Sequence, residues 1–481
     1  MANNKLRQPE YVDAYRQLLE GKLKEPREKA LDVLKENPFD MSWNSILVKT
    51  YYQEGNLNDF ARDNRIRGKK EEKPELLLRS ALAAMEVQQD KKAADDLKKA
   101  VKIDDSIFEL YYSLAIVSIK RKKYEKALEF AQKAKELAPE KPEGLWVHAM
   151  ALSSQEKTEE SFNELTEAHE KSPENADVLW TLALAYIEKD DTQKALELAE
   201  KAIEIEPVNS LAHWAKGVIH YKMDHLNDAM KAGQKAIAMD AKNPDAHTLV
   251  ATIHLNWGEF DEAYEASSQA IKYDSQSPDA YYIRGLALLS QSYYDDASMQ
   301  FQKAIHLDPN QARYNASLGE ALLGLGLHSK AEQVLKRALE ADPEIAQAYY
   351  DLGVLAKYEG NIDEALDYYR RALSLDPENC DYINSLGVIY FEQGKLQDAR
   401  QCYEEALQIN PEDTYARFNL GRYLLYKGEK IKALKEFLKV LHLDPYDDDA
   451  RQEIHRIKQL LTAQEKEQLE DEENETDKTE V

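Results

Sequence analysis

The stretch AQAYYDLGVLAKYEGNIDEALDYYRRALSLDPEN, residues 346–379, decides the fold, because its pattern recurs every thirty-four residues along most of the chain. Within it, Tyr349, Leu352, Gly353 and Ala356 stand at i, i+3, i+4 and i+7, the spacing of one face of a helix. A second series with the same spacing follows a Glu-Gly-Asn turn, and an Asp-Pro pair ends it. Each unit is therefore predicted to be a pair of short helices.

Small residues recur at fixed positions in these units. One position on the first helix is always alanine or glycine, as at Ala183 and Gly353, where a bulky side chain would push the paired helix away. The period and these small residues resemble the tetratricopeptide repeat family, whose helix pairs stack into a solenoid. The resemblance implies an all-α, right-handed superhelical α-solenoid of about thirteen 34-residue helix-turn-helix repeats with a C-terminal capping helix, and a role in holding other polypeptides.

The phase of the repeat suggests four segments. Residues 1–73 are expected to form degenerate N-terminal repeats, 74–447 eleven repeats in register, 448–464 a capping helix, and 465–481 an acidic, disordered tail. The first repeat, at the end of the array, is expected to have a neighbour on one side only. The second repeat is one residue short and rich in arginine and lysine at its end, which predicts a weak joint at 62–73.

Composition restricts the class of function, the partners and the compartment expected for this chain. The formal charge of −26, from 89 acidic and 63 basic residues, argues against binding to nucleic acid or to an anionic membrane. Two cysteines, no apolar segment at the start and no run of eighteen apolar residues favour a cytoplasmic protein that does not insert into membranes. No catalytic or metal-binding motif recurs, so we expect a non-enzymatic protein without cofactor or metal. The oligomeric state does not follow from the sequence.

A second apolar stripe lies one residue beyond the packing stripe on the first helices. In the family resembled, these positions face the concave groove, which implies a groove lined by aromatic and aliphatic side chains. The predicted partner-binding residues are Tyr112, Trp146, Met150, Trp180, Leu184, Trp214, Val218 and Tyr282. The alternative is that the rings pack between consecutive repeats. The chain is accordingly predicted to be a scaffold or adaptor that binds a protein or peptide client, with a self-associating architectural protein and a regulatory subunit as alternatives.

Two further clusters each allow two interpretations. Four histidines, at 213, 220, 247 and 254, replace large apolar residues in two adjacent units and either form hydrogen bonds in the core or bind a metal. The basic turn at 120–123 either docks an acidic segment or is simply solvated.

Overall fold

The structure is a computed structural model in which residues 9–462 are described. This part of the chain folds into twenty-seven α-helices and contains no strand. It divides into two compact units, one ending at Ile283 and the other beginning at Arg284, so that helix α17 contains the boundary. The prediction of an all-α array of helix pairs is confirmed.

Helices of the first unit alternate between first and second members of a pair. They are α1 (Pro9–Leu19), α2 (Lys24–Glu36), α3 (Met41–Gln53), α4 (Leu57–Lys70), α5 (Pro74–Glu86), α6 (Asp90–Ile103), α7 (Phe108–Lys120), α8 (Tyr124–Leu137), α9 (Pro142–Ser153), α10 (Thr158–Lys171), α11 (Ala176–Glu188), α12 (Thr192–Ile205), α13 (Ser210–Lys222), α14 (Leu226–Met239), α15 (Pro244–Asn256), α16 (Phe260–Tyr273) and α17 (Pro278–Ser290).

The second unit continues the alternation. Its helices are α18 (Tyr294–Leu307), α19 (Ala312–Gly324), α20 (His328–Ala341), α21 (Ala346–Tyr358), α22 (Ile362–Leu375), α23 (Cys380–Glu392), α24 (Leu396–Ile409), α25 (Thr414–Tyr426), α26 (Lys430–Leu443) and α27 (Asp448–Leu460). The isoleucines of α27 bury one face against α26, whereas the predicted tail at 465–481 lies outside the described residues. The division into degenerate, regular and capping segments stays a prediction.

Helix starts follow the period, and a capping residue recurs at many of them. From α5 to α25 every first helix begins thirty-four residues after the previous one. The residue before many of these helices is asparagine or aspartate, and its side chain accepts a backbone N–H of the first turn, as Asn243 does from Ala246 at 3.1 Å. The same capping bond forms at Asn175, Asn209, Asn379, Asp413 and Asp447.

Each pair is closed by a turn with one residue in the left-handed backbone region. Several later repeats place glycine there, for example Gly360 with φ of 83°, which costs little because glycine has no Cβ. Five consecutive earlier repeats place other residues at this position, including Glu156 with φ of 60°. Those turns adopt the same conformation with strain.

Glycines on first helices make room for large residues on second helices. In the second unit Gly353 lies against the ring of Tyr369, so close that a Cβ would stand 2.6 Å from the ring carbons Cδ1 and Cε1. The equivalent positions in the first unit hold Ala183 and Ala199, both fully buried. The two positions therefore compensate in volume, and the predicted role of the small residues in setting helix spacing holds at Gly353.

The first unit closes on itself, although an end repeat was expected to contact one neighbour only. Tyr15 donates its hydroxyl to the Met239 carbonyl at 3.3 Å, across 224 residues of sequence. Lys242 donates to Glu86 Oε1 at 2.9 Å and lies 3.1 Å from the ring centroid of Tyr52. We call these interactions the closing contact. The expectation of a single neighbour is therefore wrong for the first repeats.

The joint predicted to be weak, at 62–73, is well packed. Arg65 Nε donates to both carboxylate oxygens of Asp96, at 2.9 and 2.7 Å, and Asp96 is 1% exposed. Gly68 lies so near Leu77 that a Cβ would stand 2.9 Å from its Cγ. The Arg65–Asp96 ion pair thus ties this segment to the next repeat where the usual small residues are missing, and the weak joint stays a prediction.

Candidate functional site

Four aromatic rings on four consecutive first helices form one continuous row. Ring centroids are 6.0 Å apart between Tyr112 and Trp146, 6.4 Å between Trp146 and Trp180, and 6.3 Å between Trp180 and Trp214. The two tryptophan pairs meet edge to face, at 74° and 70°, an arrangement that aromatic quadrupoles favour. We call these four residues the aromatic row.

Burial differs along the aromatic row. Trp146 and Trp180 expose only 8% and 4% of their surface, whereas Tyr112 and Trp214 are half-buried. The Trp146 indole N–H donates to the hydroxyl of Thr181, in the next repeat, at 2.8 Å. The two central rings therefore join consecutive repeats, as the packing alternative anticipated, and the two end rings keep part of their surface open.

An aliphatic row runs beside the aromatic row, four residues further along each helix. Ile116, Met150, Leu184 and Val218 are all half-buried and pack on the core that contains the tryptophans. Tyr282, the last of the predicted partner-binding residues, is also half-buried. Since successive first helices pack against one another along α7, α9, α11 and α13, the two rows form one apolar strip. Its use for binding stays a prediction.

Two of the four histidines, His213 and His247, form hydrogen bonds to backbone carbonyls, whereas His254 Nδ1 contacts Glu259 Oε2 at 2.6 Å. His213 Nε2 lies 3.0 Å from the Pro207 carbonyl oxygen, and His247 Nε2 lies 3.0 Å from that of Ala241. Each ring thus closes the turn before its own helix, six residues earlier. The carbonyl contacts of His213 and His247 agree with the hydrogen-bonding interpretation at these two positions. The described residues contain no group of three or more metal-ligating side chains.

The basic turn faces acidic groups of the same unit. Desolvation and the neighbouring Asp274 together raise the pKa of Asp245, whose side chain is exposed, to about 6, and Lys120 opposes the shift. Burial likewise raises the pKa of Asp90, again with Lys120 acting in the opposite direction. The turn at 120–123 therefore lies near the carboxyl group of Asp245, 125 residues away in sequence, and near that of Asp90, 30 residues away, and the docking of an acidic segment stays a prediction.

A polar site on the second unit escaped the sequence analysis. Glu320 stands where Leu184 and Val218 stand in their repeats, and the Asp351 side chain is buried beside it. The replacement of an aliphatic by an acidic residue in that position was the available signal. A site at Glu320 was not predicted because one charged residue on a helix is ordinarily solvated.

Comparison with known families agrees with this architecture. Models described as tetratricopeptide repeat match residues 108–141, 152–217, 186–253, 288–358, 346–379 and 381–413, together more than half of the chain. The class defined by the fold is therefore a helical repeat array of the kind typical of protein–protein interaction. The chain belongs to the tetratricopeptide repeat family. A further model, described as anaphase-promoting complex, cyclosome, subunit 3, matches residues 222–304, and no curated protein matches.

Three solved structures are similar to this chain, and the first of them shows the same fold. The crystal structure of the APC/C hetero-tetramer Cut9-Hcn1 is similar with a TM-score of 0.57 at 15% identity, covering 92% of this chain and 95% of that one. Pseudomonas aeruginosa pilF gives a TM-score of 0.39 at 23% identity, covering 43% and 94% of the two chains. Yeast Tom70 gives 0.39 at 16% identity, covering 81% and 96%. Within residues 9–462 no helix is long and apolar enough to cross a membrane.

Proposed function

We propose that this protein is a non-enzymatic scaffold that binds an extended or helical segment of a partner polypeptide along residues 108–243. The observation that supports the proposal is the half-buried apolar strip made by the aromatic and aliphatic rows. A polypeptide laid on it would remove the remaining apolar surface from water, at about 25 cal/mol for each Å². Nucleic acid is not the partner proposed, because the chain is strongly acidic.

The central rings contribute rigidity to this strip. Trp146 and Trp180 are held by neighbouring repeats, and the Trp146 indole also donates to Thr181, so the surface above them is already ordered before binding. Preorganisation reduces the entropy lost on association. The partner would contact mainly Tyr112, Trp214 and the aliphatic row, with the two buried rings beneath. Because apolar burial dominates, binding should depend weakly on salt.

A cytoplasmic location is part of the proposal. Both cysteines, Cys380 and Cys402, are free thiols, and burial raises the pKa of each. Free thiols fit a reducing compartment.

The test replaces the aliphatic row. A variant with Met150→Gln, Leu184→Gln and Val218→Gln should lose the partners that the wild type retains from a lysate of its native cell, while keeping its helix content by circular dichroism. A matched control replaces three exposed aliphatic residues outside the strip with glutamine: Leu31, Ile103 and Leu438.

Two results would count against the proposal. Retention of the same partners by the row variant would show that the strip is not the binding surface. A large loss of helix in that variant, with the control unaffected, would show that the aliphatic row serves only packing.

A further inference from the structure

A buried carboxyl group of the second unit lacks a partner for one of its oxygens. Asp351 is 3% exposed, and its Oδ1 accepts a hydrogen bond from Gln347 Nε2 at 3.0 Å. Its Oδ2 has no hydrogen-bond partner among the described residues. Burial and the nearby Glu320 carboxyl together raise the pKa of Asp351 well above its ordinary value of 3.8. An unpaired buried acid of this kind costs free energy and calls for an explanation.

Glu320 links the buried acid to the surface of the first helices. It lies on α19, one repeat before Asp351, in the position that aliphatic residues occupy in the first unit, and it is half-buried. Burial also raises the pKa of Glu320. The groups that shift these two pKa values include no lysine, arginine or histidine within the described residues. The two carboxyl groups thus lie on α19 and α21, consecutive first helices that pack against each other, and no cation contributes to either pKa.

Another buried acid of the chain, Asp96, is paired. Asp96, 1% exposed, receives both an arginine and a serine: Arg65 Nε donates to its two oxygens, and the Ser80 hydroxyl donates to Oδ2 at 2.8 Å. Pairing of this kind offsets the loss of hydration. Asp351 has comparable burial and no arginine, so its missing counterpart must come from outside the chain if the carboxylate is to be ionised.

We propose that Glu320 and Asp351 form a binding site for a cationic side chain, lysine or arginine, of a partner polypeptide. Tyr350, half-buried, contributes a ring adjacent to the pair, at the position that Trp214 holds in the aromatic row, and its hydroxyl lies 3.3 Å from Ser385 Oγ. Carboxylates beside an aromatic ring are a favourable environment for ammonium and guanidinium groups. Two carboxylates are too few oxygen ligands for a calcium ion. This site is separate from the strip at 108–243 and stands independently of it.

The binding test uses a fluorescein-labelled hexa-arginine peptide and fluorescence anisotropy with the full chain at pH 8 and 0.15 M salt. The double variant Glu320→Gln, Asp351→Asn should bind the peptide about tenfold more weakly, as expected for loss of a charge-assisted contact. The matched control is Asp363→Asn, Glu378→Gln, which removes two exposed carboxylates from the same unit and should change affinity by less than about twofold.

A second measurement separates recognition from structure. Asparagine has nearly the shape of aspartate and carries no charge, so Asp351→Asn alone should raise the melting temperature of the free protein at pH 8 while weakening peptide binding. Unchanged binding, or equal losses in the two double variants, overturns the proposal. A lowered melting temperature accompanying the loss of binding assigns the pair to structure and overturns it as well.

Discussion

Substitution of Gly353 by alanine tests the packing argument directly. The added Cβ would stand 2.6 Å from Tyr369 Cδ1 and Cε1, whereas carbon atoms in contact are about 3.5 to 4.0 Å apart. The overlap is therefore about 1 Å. Tyr369 is 2% exposed and cannot swing away without displacing its neighbours, so α21 and α22 must separate.

The expected change in the free energy of unfolding follows from two opposing effects. Overpacking of this size costs about 1–3 kcal/mol, and alanine recovers up to about 1 kcal/mol of helix propensity relative to glycine. We expect Gly353→Ala to lower the free energy of unfolding by about 1–2 kcal/mol. The control is Ala183→Gly in the first unit, where Ala199 leaves room for the methyl group; that change should cost about 1 kcal/mol through propensity.

The assay is urea unfolding of the full chain followed by circular dichroism, with amide hydrogen exchange to locate the loss. Exchange should accelerate first in α21 and α22, because neighbouring repeats are coupled locally. Tyr369→Leu in the same chain should make Gly353→Ala nearly neutral, since the smaller side chain leaves space. A Gly353→Ala protein as stable as the wild type, or an unchanged cost in the Tyr369→Leu background, would refute the volume argument.

Three further predictions concern the first unit. The folded-state pKa of Asp245, about 6, exceeds the ordinary value of 3.8, so its contribution to stability is present at low pH and lost as pH rises from about 4 to about 6. The urea midpoint of Asp245→Asn should lack this part of the wild-type decrease across that range. Lys242→Met removes the hydrogen bond to Glu86 in the closing contact, and hydrogen exchange should accelerate in α14; unchanged exchange would mean that the ion pair contributes nothing. Glu156→Gly relieves the left-handed turn and should raise stability by about 0.5–1 kcal/mol, read as a higher melting temperature.

The sequence predicted the helix pairs because each signal acts within one repeat. A cap such as Asn243 and a left-handed turn residue such as Gly360 fix where helices begin and end, and both depend on residues a few positions away. Small residues such as Gly353 set the spacing inside the pair. All three signals recur at the spacing of the period, although not in every repeat.

Contacts between residues many repeats apart in the sequence could not be predicted in this way. Lys242 and Glu86 are separated by 156 residues, and no recurring pattern relates them. The aromatic row was recognised, but a side chain at that helix position touches the next repeat on one side and solvent on the other. How much of Trp180 is covered depends on the angle between repeats, which the period leaves open.

The central claim is that partners bind along the strip of residues 108–243. A photoreactive benzoylphenylalanine placed at Met150 or Leu184, and in a control at the exposed Leu31, allows irradiation in the native cell to record what lies within contact distance. We expect adducts of the same partner polypeptide from both strip positions and none from the control. Adducts from the control position alone, or none from the strip although the partner co-purifies with the protein, would contradict the account.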